Sequence, residues 1–397
     1  MARDDLLLAA RAPQHGGQRR LRSIRAGAAV AALAAGTGCI SRPLLPRHGL
    51  STCCAIPACS DAPGRRPAAF GAALGGLFPS VAHGQGTVRL QQVIAEKGLE
   101  DYRLDEYEAM RDDAPRTLKY EAAVRRRLAG SKDTQTAVDI GTGPFALLAV
   151  IAARAGARKV YAIEKNPAVA ALARKAVASA QLEQKIEVIE GDSMRVQLPE
   201  RVDFVVSELI GSIAKQEGVQ RIIDDASKRF LKNGSSTGAG SCPQMIPARV
   251  QTYIAPVSYA YHPLLKVKPE NLRPVRLDSE SKEISFLSEP ALLEDFDYCS
   301  PSGSGGEENK QFVFKLPAQA TSSATMFSGF AMWCRVIMDD VDIIEVRGTR
   351  SHWTYVVALM DTKPTSVKVP SEIRLTSRIQ PFADPVQYTF EADVTPA

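Results

Sequence analysis

Apolar positions along the chain change their period twice, and the changes divide it into parts. From about residue 93 to 128, apolar and aromatic residues recur at three- and four-residue spacings in "DEYEAMRDDAPRTLKYEAAVRRRL", a pattern that predicts helix. Pro115 falls inside that run and predicts two helices instead of one. Short apolar runs then alternate with helical segments. "TAVDI" runs into the turn "GTGPF" and the helix "ALLAVIAARAG", and "KVYAIE" leads to "KNPAVAALARKAVASAQ". "KIEVIE" and "VDFVVSE" follow, then the helix "QRIIDDASKRFL". Strand and helix units of this length predict a doubly wound parallel sheet. Beyond about residue 246 the pattern is one of short strands with few helices, such as "RVQTYIAPV", "QFVFKL", "FSGFAMWCRVIM", "WTYVVALM" and "SEIRLTSRI". Even spacing of that kind predicts a β-barrel or sandwich. The fold class is therefore α/β: a Rossmann-like domain with N-terminal helices over residues 89–245, then a β-barrel domain over residues 246–397. The polar stretches at 262–285 and 300–310 read as loops.

Composition changes the picture mainly at the start. At 397 residues and 45% hydrophobic, the chain is long enough for two domains with real cores. Residues 1–90 hold eleven arginines, no lysine and three acids, so that a whole-chain charge of +5 leaves −3 on residues 91–397. A mildly acidic core does not indicate a nucleic-acid footprint and suits basic partners. The acid-poor, Arg-rich residues 1–88 read as a targeting or disordered leader, in keeping with plastid or mitochondrial import; without such an address the expected location is cytoplasm or nucleus. Its apolar runs "AGAAVAALAAG" and "AAFGAALGGLF" are too short to span a bilayer, and no membrane association is expected. Four of seven cysteines (Cys39, Cys53, Cys54, Cys59) lie in this leader. The wide spacing of Cys242, Cys299 and Cys334 argues against a zinc site or a disulfide framework and for a reducing compartment. No metal is expected.

Candidate chemistry gathers at strand ends. In "VDIGTGPF", Asp139 closes a strand and Gly141 and Gly143 lie in the turn that opens a helix, where backbone must come close to a ligand. The turn nearly fits a dinucleotide pattern, but the acid ahead of the glycines points to S-adenosylmethionine (SAM). Glu164, at the end of the second strand, is placed to accept both hydroxyls of a ribose, or else to cap the next helix. Asp192, at the end of the third, is placed for an adenine amino group, or is an ordinary turn residue. In "SELIGSIAKQEG", Glu208 and Glu217 stand nine positions apart, so on one continuous helix they would face opposite ways. Gly211 and Ser212 allow the chain to fold back, and two converging carboxylates suit a guanidinium, which is planar, permanently charged and forked. The bland alternative is a solvated loop with Lys215 as counter-ion.

The ordered set "YEAMRDDAPRTLKY", "VDIGTGPF", "YAIEKN", "VSELIGSIAKQE", "MIPARVQTYIAPV", "SEPALLEDFDY" and "RSHWTY" resembles the protein arginine methyltransferase family over about residues 100–395. The resemblance implies SAM as cofactor, Arg-containing proteins as substrates, and Glu208 and Glu217 as the grip on the substrate guanidinium. It further implies that the first helices close over SAM, with Arg116 on its carboxylate and Met110 near its sulfur. Ser351-His352-Trp353 resembles the family's Thr-His-Trp loop, with His352 as a catalytic residue and Trp353 completing the substrate pocket; read alone, Trp353 is better taken as a core aromatic of a barrel strand and His352 as a satisfied surface histidine. Tyr102 and Tyr107 either line the cofactor channel or pack the first helix. Phe145 stands where many members carry a third glycine, and a bulky residue there occurs in the branch that makes symmetric dimethylarginine. Ser351 replaces a threonine, and product type stays open. Residues 262–285 correspond to the family's dimerisation arm, but their low apolar content leaves a homodimer open. The alternatives in other classes are a SAM methyltransferase of another substrate, a SAM-binding pseudoenzyme acting as an interaction protein, and a nicotinamide dehydrogenase.

Overall fold

A computed structural model describes residues 87–95, 104–232, 244–300, 306–319 and 321–397. These lie in one compact unit that spans residues 69–397. Residues 1–86 of the leader, Tyr102, Cys242 and the leader's four cysteines lie outside the described residues.

The first described element is a strand, β1 (Val88–Ile94), where Leu90, Gln92 and Ile94 alternate inward. The sequence reading has no strand there, because a glutamine at one of three buried positions hides the period of two. Two helices follow, α1 (Leu104–Asp112) and α2 (Ala114–Leu128), divided at Pro115 as expected. Asp113 makes the division sharp: its side chain accepts the backbone N–H of Arg116 at 3.2 Å, an N-cap that satisfies one open donor of the first turn.

The parallel sheet is built from β2 (Thr136–Ile140), β3 (Lys159–Glu164), β4 (Ile186–Glu190), β5 (Phe204–Ser207) and β6 (Met245–Ile246), with α3 (Leu147–Ala155), α4 (Pro167–Ser179) and α5 (Val219–Arg229) as connections. Its order is β4-β3-β2-β5-β6. The chain thus winds outward from β2 to β4 and then crosses back to β5. Beside β2 the order reverses, and in open sheets of this kind ligands bind outside the carboxyl ends of the strands at such a point. Register fixes what stands there. Ile140 of β2 is level with Ile163 of β3 and Ser207 of β5, so the next row is Glu164, Gly141 and Glu208.

The remaining strands are β7 (Arg249–Tyr259), β8 (Val275–Asp278), β9 (Ile284–Phe286), β10 (Ala291–Asp297), β11 (Glu308–Leu316), β12 (Ala324–Phe327), β13 (Gly329–Ile337), β14 (Ile343–Glu345), β15 (Thr354–Leu359), β16 (Thr365–Lys368), β17 (Ser371–Gln380) and β18 (Gln387–Val394). A seven-stranded sheet runs β10-β7-β13-β15-β8, with β9 and β14 at its margins, and packs on the sheet β1-β18-β17-β11. β1 thus belongs to the β-rich part through its antiparallel pairing with β18, although the Rossmann-like helices lie between them in sequence. β13 explains its own continuous apolar pattern. Phe330 and Met332 enter the core between the two sheets, while Ala331 and Trp333 on the other face join the core of the parallel sheet. Both faces are covered, so no polar alternation survives.

Two expectations change. The stretch 262–285 is not one loop: β8 pairs with β15 and β9 with β7, and only its first part, with two short 3-10 turns, stands off the sheet. Short half-buried strands such as "VRLD" carry too little apolar signal to be read from sequence. Cys299 is disulfide-bonded, against the reading from cysteine spacing, while Cys334 is a buried free thiol.

Candidate active site

Asp139 is fully buried at the end of β2. One of its oxygens accepts the Thr142 hydroxyl at 2.6 Å and the Ala149 amide at 3.0 Å, tying the glycine turn to the start of α3. Its other oxygen, Oδ1, has no protein partner. Burial outweighs these hydrogen bonds and pushes its carboxyl up to about 7. Gly141 and Gly143 both take left-handed φ, +74° and +67°. A Cβ on Gly143 would lie 3.3 Å from the Tyr107 ring, and one on Gly141 would lie 2.7 Å from the side chain of Leu209. The turn is therefore closed over by α1 on one side and by the residue after Glu208 on the other. Phe145, the residue in place of a third glycine, lies under the Arg111 guanidinium of α1 at 4.7 Å.

Glu164 accepts the Gly143 amide at 3.1 Å with one oxygen and the Asn166 amide at 2.9 Å with the other. The helix cap after it is Asn166 itself, so the capping alternative for Glu164 holds only in part. Asp192 accepts the Met194 amide at 3.0 Å, the geometry of a turn residue, at the carboxyl end of β4 where the sequence places it. Tyr107 of α1 faces the glycine turn. Burial first, then Glu164 and Glu217, push its phenol up to about 12.

Glu208 leaves β5 buried, and its Oε2 accepts Nη2 of Arg116 at 2.6 Å. Its Oε1 accepts the Ile210 amide at 3.2 Å. Burial alone would raise its pKa, but Arg116 foremost, with His352, holds the carboxyl below the ordinary value. It stays ionised in a dry place. Arg116 also donates to the Met110 carbonyl at 3.2 Å, and its Nε has no protein partner. The resemblance implies Arg116 and Met110 at the cofactor; in the structure Arg116 binds both the Met110 carbonyl and the first glutamate.

Glu208 first and Glu217 after it raise the buried phenol of Tyr298 and the buried thiol of Cys334, behind the larger effect of burial itself. Lys215 is not their counter-ion, since its ammonium binds both oxygens of Glu308 at 2.7 and 2.8 Å.

The Ser351–Trp353 loop docks on this arrangement through Asp113. One oxygen of Asp113 accepts the Ser351 hydroxyl at 3.0 Å, the His352 amide at 2.9 Å and His352 Nδ1 at 2.8 Å. Burial raises the Asp113 carboxyl, but these bonds outweigh it and bring it down to about 2. His352 is thereby oriented with Nε2 3.9 Å from Glu208 Oε2. Trp353 is 2% exposed and donates its indole N–H to the Ile210 carbonyl at 2.8 Å. The resemblance implies a substrate contact for Trp353, whereas the structure sets it as a support beneath the glutamate loop, because a ring this buried presents its polar atom to that loop. Ser212 and Thr354 add a second tie, with hydroxyls 3.1 Å apart. Asp113 is the site residue the sequence reading missed. Its signal was present in "DDAPR", an Asp two residues ahead of a helix-starting proline. Among the described residues, no group of three or more His, Cys, Asp or Glu side chains could hold a metal.

Residues 96–236 match the family model described as PRMT5 arginine-N-methyltransferase. The chain is 32% identical over 170 residues to protein arginine N-methyltransferase 6 of Danio rerio, covering 41% of this chain and 46% of that protein. It is 37% identical over 123 residues to protein arginine N-methyltransferase PRMT10 of Arabidopsis thaliana, covering 31% and 30%. The matched region thus spans less than half the length of these relatives. Among solved structures, the chain is similar to the Trypanosoma brucei PRMT1 enzyme-prozyme heterotetrameric complex with AdoHcy, with a TM-score of 0.57 and 19% identity, covering 69% of this chain and 87% of that one. That likeness is one of fold.

Proposed function

We infer that the chain is a protein arginine N-methyltransferase, which transfers a methyl group from SAM to the guanidinium of arginine in protein substrates; the match of residues 96–236 and the partial similarity to such enzymes support it. The observation that carries this reading is Glu208, held ionised by Arg116 at 2.6 Å just beyond the carboxyl end of the switch-point strand β5, next to the glycine turn of β2. SAM supplies, when bound, an electrophilic methyl group on a sulfonium. The residues present fit it. Gly141 and Gly143 hold the turn in a left-handed conformation that a Cβ would crowd, Asp139 and Arg116 each offer a buried polar atom without a protein partner, and Glu164 stands at the carboxyl end of β3 for a ribose.

Glu208 and Glu217 each take one hydrogen-bonded edge of the substrate guanidinium, which immobilises it. They also draw its positive charge toward the nitrogens they bind, leaving the remaining nitrogen with more lone-pair character. Arg116 keeps Glu208 ionised before substrate arrives, so no proton must first be removed from it. Orientation of two reactants supplies roughly 7 to 11 kcal/mol in favourable cases, so a strong base is not required. The proton lost by the methylated nitrogen passes by way of Glu208 to His352 Nε2, and Asp113 stabilises the imidazolium through Nδ1.

The test is a radiolabelled-methyl assay of the chain from residue 87 with a Gly-Arg-rich peptide and a histone tail, read by mass spectrometry. Methylarginine is the expected product, and mass spectrometry reports whether one or two methyl groups are added. Binding of SAM with no methylated arginine in either substrate would overturn the reading in favour of a SAM-binding interaction protein. Self-association belongs to the same proposal, supported by the exposed Tyr261 and Leu264 on the stretch that stands off the barrel. Sedimentation of the same preparation tests it. The import reading of residues 1–88 is tested by fusing them to a fluorescent protein and locating it.

A further inference from the structure

The glutamate loop between β5 and α5 carries one cation, Lys215, two residues before Glu217. A lysine placed between two acids that must grip a cation ought to compete with the substrate for them. Instead its side chain is 2% exposed and its Nζ faces the barrel interior, where it binds Glu308 of β11 and lies 3.9 Å from Glu294 of β10. Glu294 is fully buried, accepts the Tyr388 hydroxyl of β18 at 3.1 Å, and accepts the Thr252 hydroxyl of β7 at 2.5 Å. The same Thr252 oxygen accepts the amide of Ala214, the neighbour of Lys215, at 2.9 Å. One residue earlier, Ile213 is fully buried in the core between the two sheets. Three consecutive loop residues are thus seated in the barrel, by an apolar plug, a backbone hydrogen bond and an ion pair. The chain then returns to the site at once, with the Gly218 amide on the Lys215 carbonyl at 2.9 Å.

Resting on the methyl-transfer reading above, we propose that Lys215 is a positioning residue for Glu217: its ammonium, held by Glu308 and Glu294, sets the register of the glutamate loop and couples the second substrate carboxylate to the barrel. An apolar plug alone is non-directional and tolerates sliding. A buried ammonium does not, because leaving its partners would strand its charge away from water.

The test compares the full chain with K215M, K215R and E308Q. Lys215→Met removes the ammonium at nearly constant volume. It is expected to speed amide hydrogen exchange across residues 212–218 by about tenfold or more while leaving β2 and β3 unchanged. AdoHcy affinity should stay within about twofold, while kcat/KM for the Gly-Arg-rich peptide should fall about 100-fold, as a misplaced reacting group produces. E308Q should give a smaller fall in the same direction, and K215R should recover part of the loss. A folded K215M with exchange and kcat/KM both within about twofold of the parent would overturn the proposal. Should K215M fail to fold, E308Q decides, because Glu308 is 32% exposed and its replacement leaves the barrel core intact; unchanged exchange and KM there would equally overturn it. Loosened exchange at 212–218 in a protein whose parent methylates no arginine would support the clamp and reject the function assigned to the loop.

Discussion

Replacing Glu208 by glutamine leaves Arg116 buried without its counter-charge, whereas replacing Glu217 does not, and this separates their duties. Breaking a buried pair from one side costs about 3 kcal/mol or more, so E208Q should lower the unfolding free energy by that order in urea titrations while E217Q changes it far less. Both should lose arginine methylation, each by about 2 to 5 kcal/mol of substrate recognition, with AdoHcy binding retained in E217Q by calorimetry. Two buried aspartates give opposite pH signatures. Asp113, held at about 2 against roughly 3.9 in the unfolded chain, contributes stability that is present above pH about 4 and is lost as pH falls toward 2. Asp139, raised to about 7, contributes stability that is full below pH about 4 and is lost as pH rises through 7. Urea titrations from pH 4 to pH 8 should therefore show a slope that D139N flattens and D113N leaves in place.

At the scale of elements, the site is a row at the carboxyl ends of β3, β2 and β5, closed by α1 and α2. Gly143 is where the row meets the lid. An alanine there would have to hold a φ of +67° with its Cβ 3.3 Å from Tyr107. Left-handed backbone costs a non-glycine residue about 1–2 kcal/mol, so G143A should both lower the melting temperature and weaken AdoHcy binding by about tenfold. Calorimetry and thermal denaturation on the same sample check the two effects together. A weakened AdoHcy affinity with unchanged melting temperature would place the cost in the ligand contact alone.

For the molecule as a whole, the β-rich part is closed by the two distant ends of the described chain. β1 pairs with β18 over seven residues and buries Leu90 and Ile94 against the far sheet. Each fully buried aliphatic side chain is worth about 1.5–3 kcal/mol, so a chain starting at residue 96 should lose on the order of 3–6 kcal/mol of stability. Equilibrium unfolding of chains starting at 87 and at 96 measures it. Since β18 also carries Tyr388, which binds Glu294 beneath Lys215, the shorter chain should lose arginine turnover more than AdoHcy affinity.

How much of this was legible in the sequence follows from which interactions are local. Strand and helix alternation, the glycine turn, the division at Pro115 and the candidate acids Asp139, Glu164, Glu208 and Glu217 are properties of short windows, and the periodicity of burial writes them directly into the chain. The N-cap at Asp113 was equally local, and "DDAPR" could have revealed it. What the tertiary structure alone decided is everything that depends on strand order and packing. Crossing from β4 back to β5 brings Glu164 and Glu208 to either side of Gly141, although 44 residues separate the two acids in sequence. Asp113 meets His352 across 239 positions, and Lys215 finds Glu308 across 93. The spacing of residues along a chain says nothing about such pairings, because they are set by which apolar faces can be buried together. Only the closed fold determines which charge each buried lysine, arginine and glutamate faces.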